Sequence, residues 1–517
     1  MTRRVLAHLA VSFSPTSGGR TMATFLRAAL LAGEARESWI LTTNFRMEYD
    51  LIFREWAERV DLPASVSLRN FFEDLADEPV YRNDDVRRFT PPRDAVRRGP
   101  RRWVEHVDEG HEVVYRTRDD RSLHRRDVRR SGQVVESEFF DHGGRLRLRN
   151  TVEDGTVVRR DYLADGARVY ATLHVDEDGG RALRVEGGPF DTAGEVVPEG
   201  TLFRRWLASF GEAGDRVVFF VEDRNFDRYL LRNELLDSRH RVVVPIHSTH
   251  LLPPYDDPHR VKPYNGNALG RMDSHAATVV LTEEQARDVR EHYDESGLRV
   301  IPHPVRPAWF WRAQGRQDQR VVVATRLVGL KRVDHMIRAM ARVVVDHPAA
   351  ELHVWGAGPE LPGLRELARD LGIADRVVFE GHTSDVPAAL RSGAVGLSAS
   401  ESEGFGLSVI DAMSAGVPVV SYAYKYGPSD LITPGRDGFL VPDGDVEAMA
   451  ERVSWLLSHP LRRRLMGFRA RFVQVRFRPA AIRRRWRRLL HDVDATPPAG
   501  RPTSSSADGA RPGRSVP

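Results

Sequence analysis

The chain has 517 residues, a net charge of +4 and an apolar fraction of 41%, enough for about two to four domains with sizeable cores. It contains no cysteine, which excludes disulfides, thiolate nucleophiles and cysteine-ligated zinc, and fits a reducing compartment. Only three of the 77 basic residues are lysine, Lys262, Lys331 and Lys425, so each keeps a compact cation where arginine is the default.

In chain order, residues 4–13 read as a buried strand. The apolar run there is short, His8 interrupts it and no cleavage pattern follows, so it does not read as a leader. No stretch approaches the ~20 apolar residues that cross a bilayer. A cytoplasmic protein is expected, peripheral at most to the inner membrane face. "SPTSGGR" puts Gly18 and Gly19 in a loop where backbone can approach a ligand closely, although it lacks the lysine and spacing of a P-loop. "TMATFLRAALLAG" and "SWILTT" then continue a strand–helix–strand opening. From about residue 81 to 197 the pattern changes to short alternating stretches punctuated by "HGG", "DG", "DG" and "DGG", the mark of antiparallel hairpins. The α/β rhythm resumes near Leu202 with "RVVFFVED", "HRVVVPIH" and "AATVVLT". "ESGLRVIPHPVRPAWF" has the proline content of a linker, and a second α/β series runs from "RVVVATRL" to "VPVVSY". The expected fold class is α/β with two Rossmann-like domains and a cleft between them. Residues 1–80 and 198–312 form the first domain, with 81–197 inserted in it as a β-rich module. Residues 313–475 form the second, 476–495 a terminal amphipathic helix, and 496–517 a disordered tail.

Three loops of the second series follow strands, where open α/β sheets place ligands. In "ATRLVGLKRVDHMIRAM", Arg326 leaves the strand and Lys331 follows five residues on, a pair suited to a diphosphate. "FEGHTSDV" offers backbone around His382 and Thr383 to grip a planar base, although an ordinary turn fits the same residues. "SASESEGFGLSVIDAMSAGVPVVS" places Glu403 before the glycines at the start of a helix and Asp411 one turn into it. Glycines at a helix start suit an anion, so a carboxylate there needs an explanation. A capping role for Glu403 and an exposed position for Asp411 are the ordinary alternatives. His247 ends a buried strand in "PIHSTHL". His250 lies three residues on, with no carboxylate spaced to complete a metal site. "DED" at 176–178 and "DGD" at 443–445 read as turns, so no metal is expected.

Together, "TRLVGLKRVDHMIRAM", "LHVWGAGPELPGLRELARDLGIADRVVFEGH" and "SESEGFGLSVIDAMSAGVPVVS" resemble family 4 of the retaining glycosyltransferases, which have the GT-B fold. The layout of the first domain with its β insert is similar to a narrower group. These are the poly(ribitol- or glycerol-phosphate) α-glycosyltransferases of wall teichoic acid and their relatives that glycosylate serine-rich adhesins. The resemblance implies a metal-independent transferase with no cofactor beyond its nucleotide-sugar donor, UDP-glucose or UDP-N-acetylglucosamine. It assigns Arg326 and Lys331 to the diphosphate, Glu403 to the donor sugar and His247 to a place beside the reacting sugar. Gly404, Phe405, Gly406 and Leu407 would offer backbone to sugar and phosphate, and His382 and Thr383 would flank the donor. Asp411 stands where the family has glutamate on the ribose hydroxyls, one methylene shorter. The Gly18–Gly19 loop would approach the diphosphate. The acceptor implied is a polyanionic polymer such as a polyol phosphate. The alternatives are a protein serine or threonine, and a non-catalytic subunit that binds acceptor. Some relatives assemble through the insert, which extends the expectation to a homo-oligomer. The arginines of 461–491 are expected to be solvated on a packed helix, without nucleic acid as a partner.

Overall fold

The computed structural model describes residues 3–14, 19–77, 85–176, 178–230, 239–293, 295–305, 317–383 and 385–495. The chain divides into two compact units, the first ending at Val242 and the second running from Val243 to Gly500. The strand His240–Pro245 carries the division.

In the first unit, Arg4–Ala10 pairs in parallel with Glu37–Thr42 on one side and Arg216–Val221 on the other, and Val66–Asn70 extends the sheet beyond Glu37–Thr42. Val5, Leu6, Ala7 and Leu9 are fully buried, as expected of a strand covered on both faces. Asn70 ties the strand ends together: its amide donates to Thr42 Oγ1 at 2.8 Å and its carbonyl accepts from Phe72 N at 2.9 Å, capping the helix Phe71–Ala76. The inserted module is a ten-stranded antiparallel sheet from Val96–Arg97 to Val197–Pro198. Tyr162 of the insert stacks on Phe72 with ring centroids 4.4 Å apart, which seats the insert on the parallel sheet.

His8, the residue that interrupts the first apolar run, is buried with charged company. Arg27 of the helix Gly19–Leu31 donates to His8 Nδ1 at 3.2 Å and pairs with Glu222, and its guanidinium lies over Phe220, 4.7 Å from the ring centre. Burial, and next the Arg27 charge, hold the His8 imidazole well below its usual range, so it is neutral.

In the second unit, Val243–Pro245 pairs in parallel with Ala277–Val279, and Ala277–Val280 pairs in parallel with Leu298–Val300. The last of these lies in the stretch expected to be a linker. Its residues pair with Ala277–Val280 despite the prolines that follow, because those begin only at Pro302. A six-stranded parallel sheet follows, ordered Val377–Gly381, Glu351–Trp355, Arg320–Ala324, Val395–Ser398, Val419–Tyr422 and Gly438–Val441. Its core is formed by Val321, Val323, Ile337, Met340, Val354, Leu397 and Val420. The amphipathic helix Pro479–Ala495 buries Ile482, Trp486, Leu489, Leu490 and Val493, as its spacing predicts. Arg27→Met, which removes the cation from beside the buried Glu222 carboxylate, should cost the first unit roughly 3–5 kcal/mol, read as a lower urea midpoint.

Candidate functional site

The strand Val395–Ser398 ends on the loop that carries Glu403, and the helix Leu407–Ser414 follows with Gly406 at its N-cap. No side chain caps this helix, so Glu403 is not a capping carboxylate. It turns instead to Lys331, which sits in the short 3-10 turn Gly329–Lys331 before the helix Val333–Asp346. Lys331 Nζ pairs with Glu403 Oε1, and Ser400 Oγ donates to the same oxygen at 3.1 Å. The backbones of the two loops also meet: Glu401 N donates to Leu330 O at 2.9 Å. The lysine side chain is only 11% exposed and the glutamate 21%. In so sheltered a place a lone charge of either sign is costly, and each supplies the other's partner. Burial, and next the negative charge of Glu403, push the Tyr424 phenol up; its hydroxyl shares a 2.8 Å hydrogen bond with Ser398.

Gly404 is glycine for a steric reason. A Cβ there would come within 2.1 Å of the His247 carbonyl oxygen. That close approach brings the loop after His240–Pro245 against the loop of Glu403. His247 stacks on His303 with centroids 6.0 Å apart, and His303 meets the buried Phe405 edge-on at 5.5 Å. Sequence reasoning missed His303 because it lies in the proline-rich stretch taken for a linker. Arg326 is exposed. Its flanks are fixed, since Thr325 N donates to Trp355 O at 2.9 Å and Leu327 N to Ala357 O at 3.0 Å. Gly356, at φ +146°, permits this: a Cβ would fall 1.8 Å from Thr325 O. The "WGAG" pattern therefore serves to hold the Arg326 segment.

A second cluster stands behind the Glu403 loop. Asp288, on the helix Glu283–Arg290, accepts from Lys425 Nζ and from the Tyr426 hydroxyl, both at 2.6 Å. Lys425 and Tyr426 in turn grip Glu403 by its backbone: Glu403 N donates to Lys425 O and Tyr426 N to Glu403 O, both at 3.0 Å. The same helix holds the His247 loop, since Gln285 Nε2 donates to Ser248 O at 3.0 Å. His250 stacks on Tyr426, its ring fully buried. Burial, opposed by the Asp288 charge, lowers its pKa to about 4. Lys262 donates to Thr249 O at 2.9 Å and is held below its usual range by burial. All three lysines thus take positions around these two loops.

The remaining expected residues are placed as follows. Leu407 begins the helix and the half-buried Asp411 lies one turn in. His382 is exposed after the strand Val377–Gly381, and Thr383 Oγ1 accepts from Asp385 N at 3.1 Å. Gly19 opens a helix of the first unit, and Gly18 lies outside the described residues. Asp443 and Asp445 are bound structurally, by Arg332 and by capping the helix Val446–Ser458. No group of three metal-ligating side chains occurs among the described residues.

The first unit has a pocket of about 430 Å³ at the seat of the insert. Asn44 and Phe45 just beyond the strand Glu37–Thr42, together with Phe72 and Phe226, line one side, and Arg160, Tyr162 and Arg181 of the insert the other. Arg181 pairs with Glu199 at 2.8 Å. Burial raises the Tyr162 phenol to about 12, so it stays a hydroxyl at any ordinary pH.

Residues 308–472 match the family described as Glycosyl transferases group 1. An exopolysaccharide phosphotransferase of Streptomyces coelicolor is 34% identical over 220 residues, which are 42% of this chain and 23% of that one. A poly(glycerol-phosphate) alpha-glucosyltransferase of Bacillus subtilis is 24% identical over 337 residues, 63% of this chain and 49% of the other. The chain thus spans about half the length of the second relative and under a quarter of the first. Among solved structures, a Staphylococcus aureus TarM mutant in complex with fondaparinux, alpha-GlcNAc-glycerol and UDP superposes with a TM-score of 0.77 at 18% identity, covering 94% of this chain and 99% of that one. That likeness identifies the fold as GT-B, with an antiparallel β-rich insertion in the N-terminal domain.

The buried His250 carries a pH expectation. Its unfolded form takes a proton below about 6.5 and its folded form only near 4. Acidification across that window therefore drains stability, by up to about 3 kcal/mol from this group. Urea midpoints measured from pH 7 to pH 4 should fall less steeply in His250→Phe than in the unaltered protein.

Proposed function

We propose that this chain, whose residues 308–472 match the Glycosyl transferases group 1 family, is a retaining α-glycosyltransferase. It moves a hexose or N-acetylhexosamine from a UDP-sugar, UDP-glucose or UDP-N-acetylglucosamine, to a hydroxyl of a polyol-phosphate polymer. The observation that carries this is the Lys331–Glu403 pair at the entry to the helix Leu407–Ser414. It sets a cation, a carboxylate and helix-start N–H groups that no side chain caps side by side. A phosphate takes the cation and the N–H groups, and a sugar takes the carboxylate through its hydroxyls, which donate.

Breaking the bond from the anomeric carbon to the diphosphate leaves positive charge on the ring and negative charge on phosphate. In the proposed site Lys331 and Arg326 face the negative charge as it develops, and Lys331, already held by Glu403, needs little reorganisation. The acceptor oxygen bonds to the anomeric carbon on the face the diphosphate leaves, and its proton passes to a phosphate oxygen of the departing UDP. No covalent role falls to Glu403, which orients the sugar. His247 sits beside the reacting sugar, Asp411 takes the ribose hydroxyls, and His382 and Thr383 flank the donor. The acceptor's phosphates lie in the aromatic pocket of the first unit, against Arg160 and Arg181. The same proposal keeps the domain division at 1–80 with 198–312, 81–197 and 313–475, which differs from the division into compact units in counting residues 243–312 with the first domain. It places the protein in the cytoplasm, peripheral at the inner membrane face, and allows assembly through the insert.

A screen of UDP-sugars for hydrolysis, followed by acceptor trials with poly(glycerol phosphate) and a serine-rich peptide, tests the assignment. The polyol phosphate should be glycosylated and the peptide should not. Lys331→Ala and Glu403→Ala should each abolish transfer while circular dichroism stays unchanged, and full activity in both would overturn the site. Asp288→Asn loosens the Glu403 backbone without touching donor. It should lower kcat roughly tenfold or more, and Asp288→Glu should recover part of that loss.

A further inference from the structure

The chain's basic C-terminal region buries one amphipathic helix and leaves another turned outward. The helix Pro460–Ala470 and the short helix Val473–Arg476 sit on the second unit, with Met466, Ala470 and Val473 buried and Arg463 paired to Asp318 at 2.5 Å. Their outer side is also apolar. Leu461 is 78% exposed, Leu465 41%, Phe468 51%, Phe472 52% and Val475 46%. The spacing of four, three, four and three residues puts all five on one continuous stripe. Phe468 and Phe472 pack edge to face in that stripe, 5.8 Å between centroids, so two neighbouring rings project together.

Charge identifies what covers the stripe. On the stripe's own segment, residues 460–476, there are six arginines, five of them besides the buried Arg463, and no aspartate or glutamate. A second copy of the chain would set two such arginine-rich surfaces against each other, which disfavours self-association. A nucleic acid would meet the arginines but leave three aliphatic side chains in water. An anionic lipid surface satisfies both: the phenylalanines and leucines enter the boundary between headgroups and acyl chains, and the arginines reach phosphate.

We propose that the outer face of residues 461–475 docks the protein on an anionic membrane surface. This names the surface behind the peripheral location proposed above, and it stands or falls apart from the transfer reaction, since it needs neither donor nor acceptor.

The test is cosedimentation of the full chain with vesicles of phosphatidylcholine alone and of phosphatidylcholine mixed equally with phosphatidylglycerol, at low and high salt. UDP-sugar hydrolysis is measured separately. Binding to the mixed vesicles only, weakened by salt, is expected. Phe468→Ser with Phe472→Ser should weaken partition about tenfold per ring. Arg462→Gln with Arg469→Gln, both on the solvent side, should weaken it roughly fivefold per charge. Four outcomes would overturn the proposal. They are no binding to mixed vesicles, binding that neither pair of substitutions alters, a dimer in sedimentation velocity that the serine substitutions dissolve, and tighter binding to single-stranded RNA than to vesicles.

Discussion

The candidate site depends on one ion pair. Lys331 and Glu403 come from loops 72 residues apart and meet in a sheltered place where neither charge is stable alone. Joined, they keep a compact cation and a carboxylate in fixed relation at the start of a helix whose N–H groups are uncapped by any side chain. The carboxylate that looks misplaced in a glycine loop is therefore neither an anion competitor nor a cap. It is the counter-charge that allows a lysine to be kept in a sheltered place, and in the proposed site that lysine takes a phosphate.

Around that pair, the helix Glu283–Arg290 acts as a bracket. Gln285 holds the loop of His247 and Asp288 holds Lys425 and Tyr426, which grip Glu403 by its main chain. The helix is itself held at its N-terminus, where Glu283 N and Glu284 N donate to Asp430 at 3.0 and 3.2 Å. Two strand-end loops are thus positioned by one element through charged and amide contacts. Apolar packing alone tolerates sliding, whereas these contacts fix register.

Much of this was legible in the sequence, for identifiable reasons. Strand-then-helix alternation follows from hydrophobic period, and Asp154–Gly155 marks a hairpin turn between Leu146–Glu153 and Thr156–Leu163 because both residues take positive φ. The scarcity of lysine singles out Lys331 and Lys425 from the sequence alone. What was not legible was long-range pairing. Asp288 sits in an ordinary charged helix, and nothing near it in sequence announces Lys425, 137 residues on. His303 was hidden by its prolines. The outward stripe of 461–475 was ambiguous in a different way. A period of 3.6 reveals that an apolar face exists, not which way it faces, and the neighbouring helix Pro479–Ala495, also rich in arginine, turns its own face inward.

The central claim is that Lys331 and Glu403 act as one unit on the donor, and a double-mutant cycle on kcat/KM for UDP-sugar turnover tests it most directly. Lys331→Ala, Glu403→Gln and the double variant would be compared with the unaltered protein. The account predicts that the double variant is about as slow as the slower single variant, because each substitution alone already breaks the unit. Losses that simply multiply would show two independent residues and contradict it.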